Sequence, residues 1–464
     1  MTLTQRTLSG TRAPGSRLLA VLLAALLMAS SGSAQDAAHK DEIVSLKASV
    51  DSMQRQIDEL KGDHKKIPVT GSSNATMKVF GRVQFDGWAF PQSDAAINVF
   101  ETGDPELDPQ NRVESRRSRI GVEGTISDNM VYKAAIDFAH PNSLAFKDMY
   151  IGFEDVPVLN TFLMGNQKRP YGLDALNSSR YNVFMERPFV NDLFNRNARR
   201  FGLASSGVSE DQEWNWRFGA YNMIDWQSTG NIVSYSVEPE LAGRIATTPW
   251  YDKASEGRNY MHLAMSSSLA FPDGNPAPAD AINGLSFRTR PEGRSRLPWI
   301  NTGFIDGTRN YVLGGLEAVV NFGPTQIAAE YMQSWLDRTS GQGDVQFSGA
   351  YVYVSHFLTD DYMPWSRKSG TLGKITPQND LSGNYWGAWQ VAARYSIADF
   401  SDQDIQGGEG KALTLGLNWW WNTNARLQFN YSLGSISDRD VDVSGTSYSD
   451  GDYQLVGLRV MVDF

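Results

Sequence analysis

From Met77 to the C-terminus, apolar and polar residues alternate with a period of two. Such alternation is typical of strands that have one apolar and one polar face. The alternating segments run about 10 to 13 residues, the length that a tilted membrane-spanning strand needs. The pattern predicts sixteen strands, at residues 77–89, 115–126, 130–139, 145–154, 160–167, 199–206, 213–224, 240–248, 259–271, 310–322, 325–336, 346–357, 387–400, 411–421, 425–436 and 452–464.

The polar face of these segments carries charged residues, including Arg82, Asp137, Glu317, Arg394 and Arg459. In the packed core of a soluble sandwich, each such charge would cost several kcal/mol. A water-filled lumen would remove that cost. The pattern therefore predicts an all-β fold, a 16-stranded antiparallel transmembrane β-barrel with infolded loops.

The number of strands determines which connections lie outside the cell and which lie in the periplasm. A bacterial barrel chain with both ends in the periplasm has an even number of strands and longer loops outside. A seventeenth candidate, residues 285–290, would break this parity, and we interpret it as part of a long fifth loop, residues 272–309. The basic stretch after residue 167 then becomes the third loop. Residues 358–386 become an unusually long periplasmic turn and a second candidate for infolding.

The N-terminal part follows a different pattern. Residues 1–34 have the basic, apolar and small-residue regions of a secretory signal peptide. Residues 35–62 show the 3-4 apolar spacing of a coiled-coil helix, and a single amphipathic helix is the alternative. Residues 63–76 are predicted to be a linker, and residues 77–464 the outer-membrane barrel. We therefore expect an exported protein in the bacterial outer membrane, preceded by a short periplasmic coiled coil.

The amino-acid composition excludes several classes of function. The 464 residues carry a formal net charge of −10 and include no cysteine. Disulfides and thiolate metal sites are therefore excluded, and the negative total argues against nucleic acid as a partner. The acidic stretches 402–404 and 438–442 resemble calcium loops but lack the glutamate at the twelfth position. We expect no metal site and no cofactor.

Basic residues nevertheless concentrate in three stretches. The second strand begins with Arg112, Arg116, Arg117 and Arg119. Of these, Arg117 and Arg119 are predicted to face the lumen, and Arg116 is predicted to face away from it with Ile120. The third loop carries Lys168, Arg169, Arg180, Arg187, Arg196, Arg199 and Arg200. The fifth carries Arg288, Arg290, Arg294 and Arg296.

Arginine stays charged at physiological pH, and its planar guanidinium binds phosphate oxygens through two parallel hydrogen bonds. A row of weak sites of this kind can conduct an anion by passing it from one to the next. A solvated surface loop is the plainer interpretation of the third loop. The predicted anion-binding residues are Arg82, Arg117, Arg119, Lys168, Arg180, Arg187, Arg288, Arg290 and Arg294.

Several motifs carry a family resemblance. They are Glu114-Ser-Arg-Arg-Ser-Arg-Ile-Gly121, Lys147-Asp-Met-Tyr-Ile-Gly-Phe153, Gly165-Asn-Gln-Lys-Arg-Pro-Tyr-Gly-Leu173, Asn177-Ser-Ser-Arg180, Met185-Glu-Arg187, Ser286-Phe-Arg-Thr-Arg-Pro-Glu292 and Leu415-Gly-Leu-Asn-Trp419. With these motifs, residues 77–464 resemble the phosphate-selective porin O/P family. The resemblance implies a trimeric sixteen-stranded barrel with an arginine-rich anion path. By motif it places Lys168, Arg180, Arg288, Arg290 and Arg294 near the constriction.

The expected function is passive diffusion of small anions, phosphate or polyphosphate, through an arginine-lined constriction. Expected partners are inorganic phosphate or related anions, outer-membrane lipid and lipopolysaccharide, and two further copies in a homotrimer. A general or weakly anion-selective porin is the alternative. Two rivals remain: a structural tether, and an outer-membrane hydrolase, for which His140, His262 and His356 lie in no local motif.

Overall fold

The computed structural model describes residues 67–68, 75–140, 143–195, 197–226, 232–234, 236–272, 286–339, 341, 343–383 and 385–464. The predicted signal peptide, the predicted coiled-coil helix and most of the predicted linker lie outside the described residues. So does Arg196 of the third-loop cluster.

Sixteen long strands form the wall, as the alternation predicts. They are β1 (Thr76–Ser93), β2 (Arg112–Thr125), β3 (Met130–His140), β4 (Ser143–Val156), β5 (Asn160–Lys168), β6 (Arg199–Val208), β7 (Trp214–Asn222), β8 (Pro239–Tyr251), β9 (Asn259–Ala270), β10 (Thr308–Phe322), β11 (Thr325–Arg338), β12 (Val345–Phe357), β13 (Ala388–Asp402), β14 (Ile405–Trp420), β15 (Ala425–Ser437) and β16 (Gly451–Asp463). The largest boundary difference is at β14, which begins six residues before its predicted start at 411.

Each strand pairs antiparallel with its neighbours in the chain, and β1 pairs with β16 to close the barrel. At this seam the Gly81 amide donates to the Phe464 carbonyl at 2.9 Å, and the Phe464 amide donates back at 3.2 Å. A Cβ at position 81 would lie 2.3 Å from the Phe464 ring, so this position needs glycine. The predicted closed barrel is confirmed.

The remaining elements are short. Ile67–Pro68 pairs with the start of β1. Among the described residues, three α-helices lie in the connections, α1 (Ala95–Thr102), α2 (Leu173–Leu176) and α3 (Phe189–Phe194), together with a 3-10 helix at Leu381–Gly383. Two-stranded ribbons join Arg288–Thr289 to Ile300–Asn301, Trp365–Ser366 to Thr371–Leu372, and Val441–Val443 to Thr446–Tyr448. The seventeenth candidate strand is therefore outside the wall, as interpreted. No helix in the described ranges is long and apolar enough to cross a membrane.

The two faces of the wall differ as predicted. On β1, Phe85 points outward with 57% of its surface exposed, whereas the adjacent Gln84 points inward and is fully buried. Apolar residues of the other strands face outward in the same way, such as Leu316 and Leu458. This outer surface suits the hydrocarbon of a bilayer.

Three segments fold into the barrel: the third loop (residues 169–198), the described part of the fifth loop (residues 286–307), and the inserted segment (residues 358–387). The Leu173 amide of the third loop donates to Glu330 on β11 at 2.8 Å. The Phe189 amide donates to Glu292 of the fifth loop at 3.0 Å. In the inserted segment, the Met363 carbonyl accepts a hydrogen bond from Tyr260 on β9 at 3.0 Å.

Infolding changes the environment of the inward charges. The prediction that these charges face a water-filled lumen is wrong for Arg394, Arg459 and Glu317, because each of these residues is at most 3% exposed. Each is neutralised by a partner instead. The pairs are Arg394 with Glu292 at 2.6 Å, Arg459 with Asp86 at 2.6 Å, and Glu317 with Arg244 at 2.7 Å.

Candidate functional site

A cavity of about 650 Å³ remains between strands β1–β6, the third loop and the inserted segment. We call it the cationic chamber. Of the carboxylates in the described residues, only those of Asp148 and Asp192 line it. Ten basic side chains line it: Arg82, Arg116, Arg117, Arg119, Lys133, Lys147, Lys168, Arg180, Arg187 and Arg199. Six of the nine predicted anion-binding residues are in this set.

The strands explain why the basic residues converge. Arg117 and Arg119 are two residues apart on β2, so both side chains point inward. Arg82 on β1 lies directly opposite Arg119, and Lys168 on β5 lies directly opposite Arg199 on β6. Inward positions on adjacent strands therefore form one continuous basic surface.

Arg116 also lines the chamber, so its predicted outward orientation is wrong. The β1–β2 pairing shifts at this point, because Gln84 pairs with Arg117 whereas Phe85 pairs with Ser115. Arg116 is the extra residue of a β-bulge, which releases it from strict alternation. Its guanidinium forms two hydrogen bonds with Glu186 of the third loop, at 2.7 and 2.8 Å.

Several chamber cations are paired with carboxylates. Arg119 lies 2.6 Å from Asp137, and Arg180 lies 3.2 Å from Asp463. Arg199 binds Asp148 through two hydrogen bonds of 2.9 and 2.8 Å. These pairs fix the guanidinium planes and lower the net positive charge of the chamber without removing its excess.

Other cations have neutral partners. Arg82 donates to the Ser179 hydroxyl at 2.7 Å, and Arg117 donates to the Gln84 amide oxygen at 2.7 Å. The Lys168 ammonium donates to the carbonyls of residues 176 and 177 at 2.7 and 3.0 Å. Within the described part of the chain, no carboxylate forms an ion pair with Arg82, Arg117, Lys147 or Lys168. An anion in the chamber would therefore not have to displace a carboxylate from these four groups.

The third loop is shaped by buried polar contacts. Gly172 adopts a φ of +78°, and a Cβ there would lie 2.9 Å from Asn191 Oδ1. Both oxygens of Glu330 are used, since Oε1 accepts the Leu173 amide and Oε2 accepts the Asn191 side chain at 2.6 Å. The loop thereby packs against β11 on one side and presents residues 176–181 and Arg187 to the chamber on the other.

Two carboxylates of this loop show opposite pKa shifts. Burial raises the pKa of Asp174 to about 6, although Arg187 opposes the shift. Burial disfavours the ionised form of Glu186 as well, but the guanidinium groups of Arg116 and Arg459 outweigh it and hold the pKa of Glu186 well below its usual range.

The three fifth-loop residues of the predicted set lie outside the chamber lining. Arg288 is in the ribbon with Ile300–Asn301. Arg290 donates to the carbonyls of residues 295 and 296 at 2.7 and 3.1 Å, and Arg294 pairs with Glu114 at 2.8 Å. Glu101 of α1 holds this part of the loop, because it accepts the amides of residues 296 and 297 and the Trp299 indole. The predicted convergence of all three clusters is therefore not observed.

Sequence reasoning missed other chamber residues. Lys133 and Lys147 lie at inward positions of β3 and β4, and alternation alone could have identified them. Ser366, Ser369 and Thr371 of the inserted segment also line the chamber. No periodicity in the sequence marks these three residues, because they belong to a short ribbon inside a long connection.

A second cavity of about 470 Å³ adjoins the chamber. Both cavities are lined by Lys168, Leu176, Ser369 and Thr371, so these residues lie where the cavities meet. The second cavity also includes residues 154–155 and 206–208, next to the turns at the end of the barrel that bears Phe464. The two cavities therefore adjoin on the basic side of the barrel.

Neither His262 nor His356 is among the described residues that line the chamber. His262 is buried against Trp365, with ring centroids 4.5 Å apart, and lies 3.6 Å from Glu317. His356 contacts the Thr325 hydroxyl at 2.8 Å on the exposed face.

Comparison with known families gives one match across most of the chain. The model of a family described as phosphate-selective porin O and P matches residues 92–464. An uncharacterized protein of Caulobacter vibrioides is 27% identical over 417 residues, which cover 86% of this chain and 76% of that protein. Porin O of Pseudomonas aeruginosa is 24% identical over 147 residues, which cover 30% of this chain and 32% of Porin O.

Solved structures show the same fold. The anion-selective porin from Comamonas acidovorans superposes with a TM-score of 0.52 at 13% identity, covering 84% of this chain and all of that porin. The loop L8 deletion mutant of OmpT, an outer membrane protein of Vibrio cholerae, gives a TM-score of 0.51 at 12% identity over the same shares. At these identities the likeness concerns the barrel fold alone.

Proposed function

The chain belongs to the phosphate-selective porin O and P family, and from that premise we propose that small anions, inorganic phosphate among them, diffuse through its cationic chamber. Membership and fold together indicate an outer-membrane channel protein rather than an enzyme. The chemical class of the solute and the residues that select it are the proposed part.

The observation that carries the proposal is the charge imbalance of the chamber. Ten basic groups face two carboxylates there, although the whole chain has a net charge of −10. A concave site with low-dielectric walls focuses the potential of its charges. Anions are therefore concentrated in the chamber and cations are excluded from it.

The arrangement suits passage as well as binding. Arg119 and Arg180 share their charge with Asp137 and Asp463, so each would hold a passing anion weakly. Lys168 lies between the two cavities and has only backbone carbonyls as partners. Phosphate would bind weakly at Arg119 and Arg180 and then at the Lys168 ammonium between the two cavities. It could therefore move from one group to the next.

The proposed contact set is therefore Arg82, Arg117, Arg119, Lys168, Arg180 and Arg187. A role for Arg288, Arg290 and Arg294 in the approach to the chamber stays a prediction. The same proposal includes a homotrimer, which family membership supports. It also includes contact with lipid and lipopolysaccharide, which the apolar outer surface of the wall supports.

The test is electrical. In a planar bilayer under a salt gradient, the reversal potential should show preference for chloride over potassium, and added phosphate should block the chloride current. Lys168→Ala should raise the half-blocking phosphate concentration about tenfold or more, because a charge-assisted hydrogen bond contributes about 1.5 to 3 kcal/mol. The control is Arg309→Ala, since the Arg309 side chain is 60% exposed and pairs with Asp337 outside the chamber.

Three other results separate the alternatives. Anion preference without phosphate block would indicate a general, weakly anion-selective porin. Equal effects of the two substitutions, both fading at high salt, would show that the chamber only screens charge. A channel with no anion preference would contradict the proposal itself.

A further inference from the structure

One wall of the cationic chamber carries hydroxyl groups. Residues 365–372 of the inserted segment form a hairpin that brings together Ser366, Ser369 and Thr371. The Ser369 hydroxyl donates to the Ser366 hydroxyl at 2.8 Å and lies 2.7 Å from the Thr371 hydroxyl. All three line the chamber, and Ser369 and Thr371 also line the second cavity at the junction with Lys168.

The hairpin is held in place from several directions. The Trp365 ring packs on His262 of β9, and the Gly370 carbonyl accepts a hydrogen bond from Arg244 of β8 at 3.0 Å. The Leu372 amide donates to Asn177 of the third loop at 2.9 Å. The hydroxyl row therefore has a fixed position relative to both the wall and the third loop.

The chamber is larger than a simple anion requires. Its volume of about 650 Å³ falls within the range of pockets that enclose whole small molecules. Eight of its ten basic residues are spread over six adjacent strands, β1 to β6, which at about 4.8 Å per strand corresponds to roughly 24 Å of wall. A single phosphate contacts only part of that surface.

The hydroxyl row offers more than an unprotonated anionic group can use. An unprotonated phosphate oxygen only accepts hydrogen bonds, whereas a serine or threonine hydroxyl both donates and accepts. The hydroxyls of a sugar use both capacities. One side of the chamber thus offers hydrogen-bond donors for an anionic group. The other side offers hydroxyls that can both donate to and accept from alcohol groups.

We propose that the cationic chamber takes a phosphorylated polyol, such as a sugar phosphate, with the phosphate on the basic wall and the sugar hydroxyls on Ser366, Ser369 and Thr371. This inference rests on the proposed anion channel and adds the class of solute. The binding is non-covalent and passive, and no bond is made or broken.

The experiment compares three probes as blockers of the chloride current: orthophosphate, glucose 6-phosphate and uncharged glucose. It is done at an alkaline pH at which both phosphates are dianions. Glucose 6-phosphate should block at a lower concentration than orthophosphate, and glucose should not block. Ser369→Ala should raise the half-blocking concentration of glucose 6-phosphate about threefold to tenfold, the effect of one or two lost hydrogen bonds. The orthophosphate value should not change.

Ser267→Ala is the matched control, because Ser267 is exposed on the outer face of β9. If glucose 6-phosphate blocks no better than orthophosphate, or if Ser369→Ala affects both equally, the polyol inference is overturned and the anion channel stands. If neither phosphate blocks and the reversal potential shows no anion preference, the proposed function fails as well.

Discussion

At the scale of single residues, Asp174 and Glu186 show how neighbours set the charge of the third loop. Both are acidic, and both lie within this one loop. Glu186 bonds to Arg116 at 2.7 Å and to Arg459 at 2.6 Å, so its ionised form is stabilised. Asp174 is 3.9 Å from Arg187, and its carboxylate accepts a hydrogen bond from the neutral Asn182 at 2.9 Å. Burial therefore dominates at Asp174.

This difference makes the third loop sensitive to pH. The pKa of Asp174 is raised to about 6, above the value of about 3.9 for an unfolded aspartate. The folded loop therefore binds the proton more tightly than the unfolded loop. The contribution of Asp174 to the stability of the loop is highest below about pH 4, falls as the pH rises to about 6, and is constant above that.

Asp174→Asn should remove this loss of stability between about pH 4 and pH 6, because asparagine stays neutral. Its side-chain oxygen can still accept the hydrogen bond from Asn182. Amide hydrogen exchange of residues 173–194, corrected for intrinsic rates, should show a fall in protection from about pH 4 to pH 7 in the natural chain. A shift of about two pKa units corresponds to on the order of 3 kcal/mol. In Asp174→Asn the protection should be nearly constant.

Asp192→Asn serves as the control, because Asp192 is in the same loop with 40% of its side chain exposed. This variant should keep the pH dependence of the natural chain. Identical pH profiles in all three proteins would show that Asp174 is ionised in the folded loop near pH 5.

The residue scale also shows what alternation can and cannot predict. Arg82, Arg117 and Arg119 were placed correctly because a strand turns every second side chain to the same face. Arg116 was placed wrongly because one extra residue in the β-bulge reverses its direction. A single sequence carries no periodic signal for such an insertion.

At the scale of elements, the infolded segments are joined to the wall by a few buried carboxylates. Glu292 is one of them. Its Oε1 accepts the Phe189 amide of α3, and its Oε2 accepts hydrogen bonds from Arg394 of β13 at 2.6 Å and Thr414 of β14 at 3.3 Å. One side chain thus links the fifth loop, the third loop and two strands.

Glu292→Ala should loosen this junction while leaving the barrel closed. It removes the partner of the buried Arg394, and breaking a buried ion pair costs about 3 to 5 kcal/mol. Hydrogen exchange should become faster at residues 189–194 and remain slow in β10 to β16. The single-channel current should become noisier as the third loop moves.

Glu409→Ala provides the comparison, because Glu409 forms an exposed pair with Lys411 at 3.6 Å. An exposed pair contributes at most about 1 kcal/mol, so exchange at residues 189–194 should not change. Unchanged exchange in Glu292→Ala would mean that the apolar packing of α3, and not Glu292, holds the loop.

The elements differ in how well the sequence predicts them. All sixteen wall strands were predicted because lipid on one side and polar groups on the other impose a strict period of two. The infolding of the third loop and of the inserted segment was predicted from length and charge. Their contacts were not, since Glu330 and Glu292 lie more than 100 residues from the amides that they bind.

At the scale of the whole molecule, basic and acidic residues are separated. The chamber has a large excess of basic residues, whereas the total charge of the chain is −10. The excess acidic charge therefore lies elsewhere. The assembly of several copies, which the predicted helix at residues 35–62 would support, also concerns the whole molecule.

Deleting residues 36–62 should weaken the oligomer. The 3-4 spacing from Ile43 to Leu60 predicts that copies of this helix associate, and such association would add to contacts between barrels. The deletion variant should dissociate at a lower temperature in detergent on a gel, while its barrel still inserts and conducts.

A Gln54→Ala/Gln56→Ala variant, altered outside the apolar seam, should dissociate like the natural protein. If the deletion leaves the dissociation temperature unchanged, the helix does not contribute to assembly.

The seam between Gly81 and Phe464 has a consequence for how the chain folds. The contact joins two residues separated by nearly the whole barrel sequence, so its loop-closure entropy is the largest of any strand pair in the wall. Neighbouring hairpins can form as soon as both of their strands are present, whereas β1 must wait for β16. Until then its edge is unpaired and open to association with other strands. The pairing of Gly81 with Phe464 is therefore part of the step that removes the last open edge of the wall.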